Sequence, residues 1–300
     1  MKIFSLKVLL IGLTVSFSGS IFAQKEALRQ KIEKITLTSK GKVGVAVLNL
    51  DNKDTLTFNG FSHMPMQSTY KFPLALAILD QVDKGRFTLN QKIYITKKDM
   101  LPNTMSPLTE KYPNGNVDIK LSELLQYTVG KSDNNGCDIL FRLIGGPVKV
   151  NNFIHSLGVK GISIVATEEQ MHKNWNTQFT NWCEPYAMTQ LLEVFYQGEH
   201  LSKSSNTFLK KLMTETTTGL KRIKGLLPEG TIVIHKTGTS DTNDKGITAA
   251  TNDAGIVTLP DGKHFAIVVF VTNSPENQNN REKVIAEITK AVWDYYITKH

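Results

Sequence analysis

Ser68 and Lys71 stand three residues apart at the start of the apolar run from Phe72 to Val82. On a helix this spacing puts both side chains on one face, the lysine one turn beyond the serine. The serine then sits at the helix tip, where free N–H groups and the positive end of the dipole favour an alkoxide or an oxyanion. A lysine shielded from water loses its charge easily and can then take the hydroxyl proton. Pro73 falls in the first turns, where a missing N–H is tolerated. The same Ser-x-x-Lys spacing recurs at Ser39 and Lys42, in a Gly-rich charged link where nothing holds the pair together. Alone, Ser68 reads first as a helix cap beside a surface lysine.

Two more polar clusters follow. Ser132-Asp133-Asn134 comes after the helical pattern from Leu121 to Val129, between two apolar helices. Lys236-Thr237-Gly238-Thr239 ends a strand that begins at Thr231-Ile-Val-Ile234. A glycine there lets a ligand approach the backbone, and a lysine with hydroxyls beside it can grip a carboxylate. Each cluster alone is also an ordinary turn.

The elements that must position these clusters fall into a simple order. Leu28, Ile32 and Ile35 keep helical spacing within residues 24–39. Val43 to Leu50 is a buried-strand pattern, and Thr55 to Phe58 alternates as its hairpin partner. Helical patterns then take over to about Met213, among them Leu74–Val82, Leu121–Val129, Cys137–Ile144 and Ala187–Tyr196. Strands return at Thr231–Ile234, Ala254–Thr258 and Phe265–Val271, and Arg281 to Tyr296 closes with a helix. Strands from both chain ends with helices between them predict an α+β fold of two lobes. One lobe is an antiparallel sheet from residues 24–62 and 214–300, flanked by the terminal helices. The other is an all-helical insertion, 63–213. A cleft between the lobes is the expected place for a small-molecule site.

Composition narrows the classes. In 300 residues there are 21 Gly, 10 Pro and 2 Cys, with 40% hydrophobic residues, close to the globular average. Lys+Arg number 35 against 27 Asp+Glu, a net charge of +8. The basic residues are scattered, without a like-charge block or aromatic–basic alternation, which argues against nucleic acid. Two cysteines make neither a disulfide scaffold nor a four-Cys metal site. Cys137 and Cys183 could pair in an exported protein, or Cys137 could stay a buried thiol in its apolar helix. The seven His are scattered, so no metal or other cofactor is expected. Residues 1–23 read as a secretory leader: Lys2 and Lys7, an uncharged apolar run from Val8 to Phe22, and small Ala23. The mature chain is expected in the periplasm or outside the cell, free of the membrane and monomeric.

Ser-x-x-Lys, Ser-Asp-Asn and Lys-Thr-Gly in this chain order are the signature of class A β-lactamases and penicillin-binding proteins. The sequence resembles the penicillin-recognising serine enzymes over essentially the whole mature chain. The aperiodic stretch from Val165 to Pro185 resembles the Ω-loop of the class A β-lactamases, where the family places a glutamate that activates the deacylating water. Counting from Leu157-Gly158 and back from Pro185 puts that glutamate at Glu168, with Glu169 as its neighbouring competitor. The resemblance implies acylation of Ser68 and a proton taken by Lys71 or by Glu168 through water. It implies an oxyanion hole from the N–H groups of Ser68 and Thr239, and proton delivery to the leaving nitrogen by Ser132. Asn134 would bind the substrate amide, and Lys236, Thr237 and Gly238 would meet its carboxylate. Arg222 resembles a basic residue that some class A enzymes place behind the Lys-Thr-Gly strand.

The loop departs from the usual pattern. Met171-His172 stand where Leu-Asn is common, and the arginine–aspartate pair that ties the loop's neck falls on Ala166 and Asn181. This variant loop resembles a subgroup with broad cephalosporin activity, with His172 a candidate substrate contact. The rival readings are a penicillin-binding DD-peptidase, which is acylated without fast release, and a β-lactam-sensing binding domain.

Overall fold

The computed structural model describes residues 23–298. The expected leader lies outside them but for its last residue. Among the described residues no helix is long and apolar enough to cross a membrane.

Helix α1 (23–36) leads into the hairpin β1 (Lys42–Asn49) and β2 (Thr55–Phe58). The helical block then contributes α2 (Lys71–Asp83), α3 (Asn134–Ile144), α4 (Glu168–Lys173), α5 (Pro185–Gln197) and α6 (Lys203–Thr214). Strands β3 (Val233–Thr239), β4 (Thr248–Thr258) and β5 (His264–Ser274) and helix α7 (Gln278–Ile297) complete the chain. The five strands form one antiparallel sheet in the order β2-β1-β5-β4-β3. The two chain ends therefore meet in the middle of the sheet, with Val45 opposite Val269.

Side chains alternate across a strand, so each strand feeds two cores. Ala254, Ile256, Ala266, Val268 and Phe270 pack against the helical block. Val257, Phe265, Ile267, Val269 and Val271 pack on the other face with Leu28 and Ile32 of α1 and Ile285, Ile288 and Val292 of α7. A sheet buried on both faces needs near-continuous apolar strands, and β5 is one.

Three expectations need correction. The inserted block is not all-helical: it carries a two-stranded sheet (Lys92–Ile95 with Val117–Lys120) and a small three-stranded one from Met64–Pro65, Ile162–Ser163 and Trp182–Cys183. Two-residue strands have no periodicity to read. The strand expected over Thr231–Ile234 instead runs from Val233 to Thr239, so the Lys-Thr-Gly triplet lies within it. The stretch from Val165 to Pro185 has structure of its own, with α4 and a 3-10 helix at Trp175–Phe179.

Candidate active site

Ser68 lies in a short 3-10 turn, Gln67–Tyr70, that runs straight into α2. The nucleophile candidate is thus one turn ahead of the α-helix rather than at its cap. Gln67 takes a positive φ of 49°, and its amide donates to Gln178 at 2.6 Å, fixing the turn against the Val165–Pro185 segment. Gly238 of β3 explains the close approach on the other side. A Cβ there would come 2.4 Å from the Met66 carbonyl oxygen and 3.1 Å from the Thr69 nitrogen. The glycine serves the packing of the edge strand on the Ser68 turn, where the sequence suggested room for a ligand.

Lys71 is fully buried, and its Nζ is where the clusters meet. It donates to Ser68 Oγ at 2.9 Å, to the Ser132 carbonyl at 2.8 Å and to Asn134 Oδ1 at 2.5 Å. Glu168 Oε1 is a fourth neighbour at 2.9 Å. An ammonium has three N–H groups, so the contact with Glu168 is an ion pair without a directed hydrogen bond. Glu169 points elsewhere, to Lys173 at 2.6 Å.

A helical turn widened to the π form at Gln126–Gly130 delivers Ser132, which sits at φ 61°. Such turns and left-handed non-glycine residues persist where surrounding bonds hold them. Here Thr216 Oγ donates to the Gly130 carbonyl, and Asp133 accepts from the Leu108 and Gly136 N–H groups and the Ser106 hydroxyl. Asp133 caps α3, and burial holds its carboxyl above the usual range. Asn134, with Oδ1 on Lys71, donates Nδ2 to Thr104 Oγ at 2.8 Å.

Lys236 is 1% exposed. Its Nζ donates to Ser132 Oγ at 2.8 Å and to the Thr237 carbonyl at 2.9 Å, tying the sheet to the helical block. Burial first, and Lys71 second, push it well below the ordinary lysine range. Thr237 shares a hydroxyl bond with Thr218 at 2.7 Å. Arg222 is buried behind β3: it reaches the carbonyls of Gly238 and Asn252, Thr239 Oγ at 2.7 Å, and Glu282 at 3.2 Å. At 3% exposure Arg222 is not a surface arginine.

Glu168 opens α4, and its placement rests on a residue that sequence reasoning missed. Asp138 on α3 accepts the backbone N–H of Glu168 at 2.8 Å and of Glu169 at 2.9 Å. Burial raises its carboxyl to about 6. Its signal was a carboxylate four residues after Asn134, on the same face of α3. At the loop's neck Asn181 ties the two ends together. Its Oδ1 accepts from Val165 and Ala166 N–H, and its Nδ2 donates to the Ala166 carbonyl at 2.8 Å.

These residues surround a cleft of about 600 Å³ whose wall includes Ser68, Ser132, Asn134, Glu168, Thr237 and Thr239. Exposed His172 lines it beside Trp175, whereas Lys71 and Lys236 lie beneath its wall. Cys137 and Cys183 are both free and buried, and burial raises both thiols well above their ordinary range, against any thiolate role. The arrangement suits transfer of an acyl group to a hydroxyl, with buried cations beneath and a carboxylate beside it.

The comparisons agree with this chemistry. Residues 27–296 match the family described as the β-lactamase enzyme family. The chain is 48% identical over 296 residues to the β-lactamase VEB-1 of Pseudomonas aeruginosa, covering 98% of this chain and 97% of that protein. It is 42% identical to the extended-spectrum β-lactamase PER-1 of the same organism, over 96% and 93% of the two chains. The crystal structure of the TLA-3 extended-spectrum β-lactamase superposes with a TM-score of 0.90 at 59% identity, over 91% of this chain and 99% of that one.

Proposed function

The chain belongs to the class A serine β-lactamases and hydrolyses β-lactams; on that premise we propose the following division of labour among its residues. The observation that carries it is the Lys71 ammonium, within 2.9 Å of both Ser68 Oγ and the Glu168 carboxylate.

Ser68 Oγ attacks the lactam carbonyl. With its three N–H groups engaged, Lys71 accepts the serine proton only after giving one to Glu168. The alternative route takes the proton to Glu168 through a water. Both routes leave the proton on Glu168. The N–H groups of Ser68 and Thr239 stabilise the oxyanion, each donor supplying about 2.7–4 kcal/mol in such sites. Ser132 Oγ accepts from Lys236, so its own proton is free for the leaving nitrogen. The lost proton is replaced by relay from the Lys71 side, which regenerates the Glu168 carboxylate as a base. Glu168 then draws a proton from water, the hydroxide adds to the acyl carbonyl, and as the ester bond to Ser68 breaks the proton passes from Glu168 through Lys71 to Ser68 Oγ.

The substrate carboxylate meets the Thr237 hydroxyl, with the Lys236 ammonium beneath and its third N–H left for the ligand. Gly238 keeps the strand close to Ser68, and Arg222 adds positive charge behind it. The substrate amide lies along Asn134, and the exposed His172 and Trp175 face bulkier side chains. That open wall supports bulky β-lactams, cephalosporins among them, as substrates. The apolar run after Lys7 supports export to the periplasm.

The test is Glu168→Gln with a chromogenic cephalosporin. Turnover down by at least a thousandfold is the expected result, with acylation slowed as well and the acyl group that does form still on Ser68 by mass spectrometry. Native turnover would remove Glu168 from the scheme.

A further inference from the structure

One buried titratable pair takes no part in this scheme. His235 precedes Lys236 on β3, and Asp253 lies on the neighbouring β4. Both are fully buried, and His235 Nδ1 lies 2.9 and 3.0 Å from the two Asp253 oxygens. Among the described residues, the other imidazole nitrogen, Nε2, is buried without a partner. An imidazolium would leave an N–H unsatisfied there, whereas a neutral ring carrying its proton on Nδ1 leaves only a lone pair. The pair is then a neutral histidine donating to an aspartate anion, with a net charge of −1. Asp253 also accepts the Ile223 N–H at 3.2 Å.

Side-chain alternation places Lys236 on one face of the sheet and the pair on the other. The charged groups that act on Lys236 are Lys71 and Glu168 from the helical block, Arg222 from behind β3, and Asp253 from β4. Lys71 is matched by Glu168 at 2.9 Å and Arg222 by Glu282 at 3.2 Å. Asp253 stands opposite Thr237, one register position from Lys236, and is the buried anion that β4 brings to that lysine. It also raises Lys224, which burial lowers.

We infer that Asp253, oriented by His235, is a positioning residue that holds Lys236 in its charged form and so sets the alkaline limit for binding the substrate carboxylate. The inference rests on the reading of Lys236 as the cation that attracts that carboxylate. The direction follows from charge. A buried lysine tends to lose its proton, and both Lys71 and Arg222 reinforce that loss. The Asp253 anion opposes it, so removing the anion makes Lys236 lose its charge at a lower pH.

The experiment is the pH profile of kcat and KM for a carboxylate-bearing β-lactam, from about pH 6 to 10, a span that brackets a lysine shifted downward. Asp253→Asn should move the alkaline limb of kcat/KM down by about one pH unit. The change should lie in KM, with kcat nearly constant. In a Lys236→Arg background the shift should vanish, because a guanidinium keeps its charge throughout. If Asp253→Asn does not fold, His235 supplies the same test. His235→Leu strips the aspartate of its donor and should shift the limb the same way. His235→Asn, whose amide N–H can take the place of Nδ1–H, should restore it. An unmoved limb in folded Asp253→Asn, where Lys236→Ala still raises KM, overturns the inference alone. If Lys236→Ala leaves KM unchanged, the carboxylate reading fails and the inference with it.

Discussion

Asp138 holds two backbone N–H groups on one carboxylate, and burial moves that carboxyl from 3.8 to about 6. Folding therefore makes it bind its proton more tightly. The cost of charging it is absent below the unfolded value, grows between 3.8 and about 6, and is complete above that, at most about 3 kcal/mol. The enzyme bears this cost at neutral pH to fix the start of α4, and with it Glu168. Asp138→Ala should remove the cost and both bonds together, and the two effects should offset within about 2 kcal/mol at pH 8. Turnover should still fall at least tenfold, with acyl-enzyme accumulating. Calorimetry at pH 5 and 8 beside burst kinetics reads both; native turnover in a folded variant contradicts the role. Ser68, Lys71, Ser132 and Lys236 stood out in the sequence only together, because three motifs that are ordinary turns alone follow one another in a single chain order. Asp138 did not, because the N–H groups it serves lie some thirty residues away in sequence and no side-chain pattern marks a backbone partner.

At the scale of elements, legibility followed length. The long periodic segments, such as α2, β5 and α7, stand within a few residues of where their spacing put them. The short ones escaped. α4 has six residues and is fastened by its Thr167 cap, by Asp138 and by Asn181, none of which produces a periodic signal. The neck of this loop is its weak link. Asn181 makes three hydrogen bonds to backbone there, and its amide orientation is what satisfies both a pair of donors and an acceptor. Asn181→Asp keeps the acceptor but sets an oxygen against the Ala166 carbonyl. About 1–3 kcal/mol of local stability should be lost, with faster proteolysis between residues 165 and 181 and slower deacylation. Limited proteolysis at neutral pH checks it, and a loop as resistant as the parent's would show that Gln67–Gln178 and Asp138 suffice.

Over the whole molecule, the sheet is a wall shared by two cores, and the site straddles its edge. Ser68, Lys71, Ser132 and Glu168 come from the helical block, and Lys236, Thr237 and Thr239 from β3. The bond from Lys236 to Ser132 joins the halves at 2.8 Å. Neither core closes without the sheet: Phe270 faces one and Val269 and Val271 the other, on the same strand. The order of strands and helices along the chain made this architecture readable, since strands from both ends can pair only if the insertion stands aside. Loss on either side should therefore be felt by the whole. Phe270→Ala should cost about 3–5 kcal/mol, and Ile288→Ala, on the far side in α7, about 2–5 kcal/mol. Each should lower the midpoint of a single thermal transition in which circular dichroism and hydrolysis disappear together. If Ile288→Ala instead split the transition, with hydrolysis surviving the loss of α7 packing, the helical block and β3 would be holding the site without the second core.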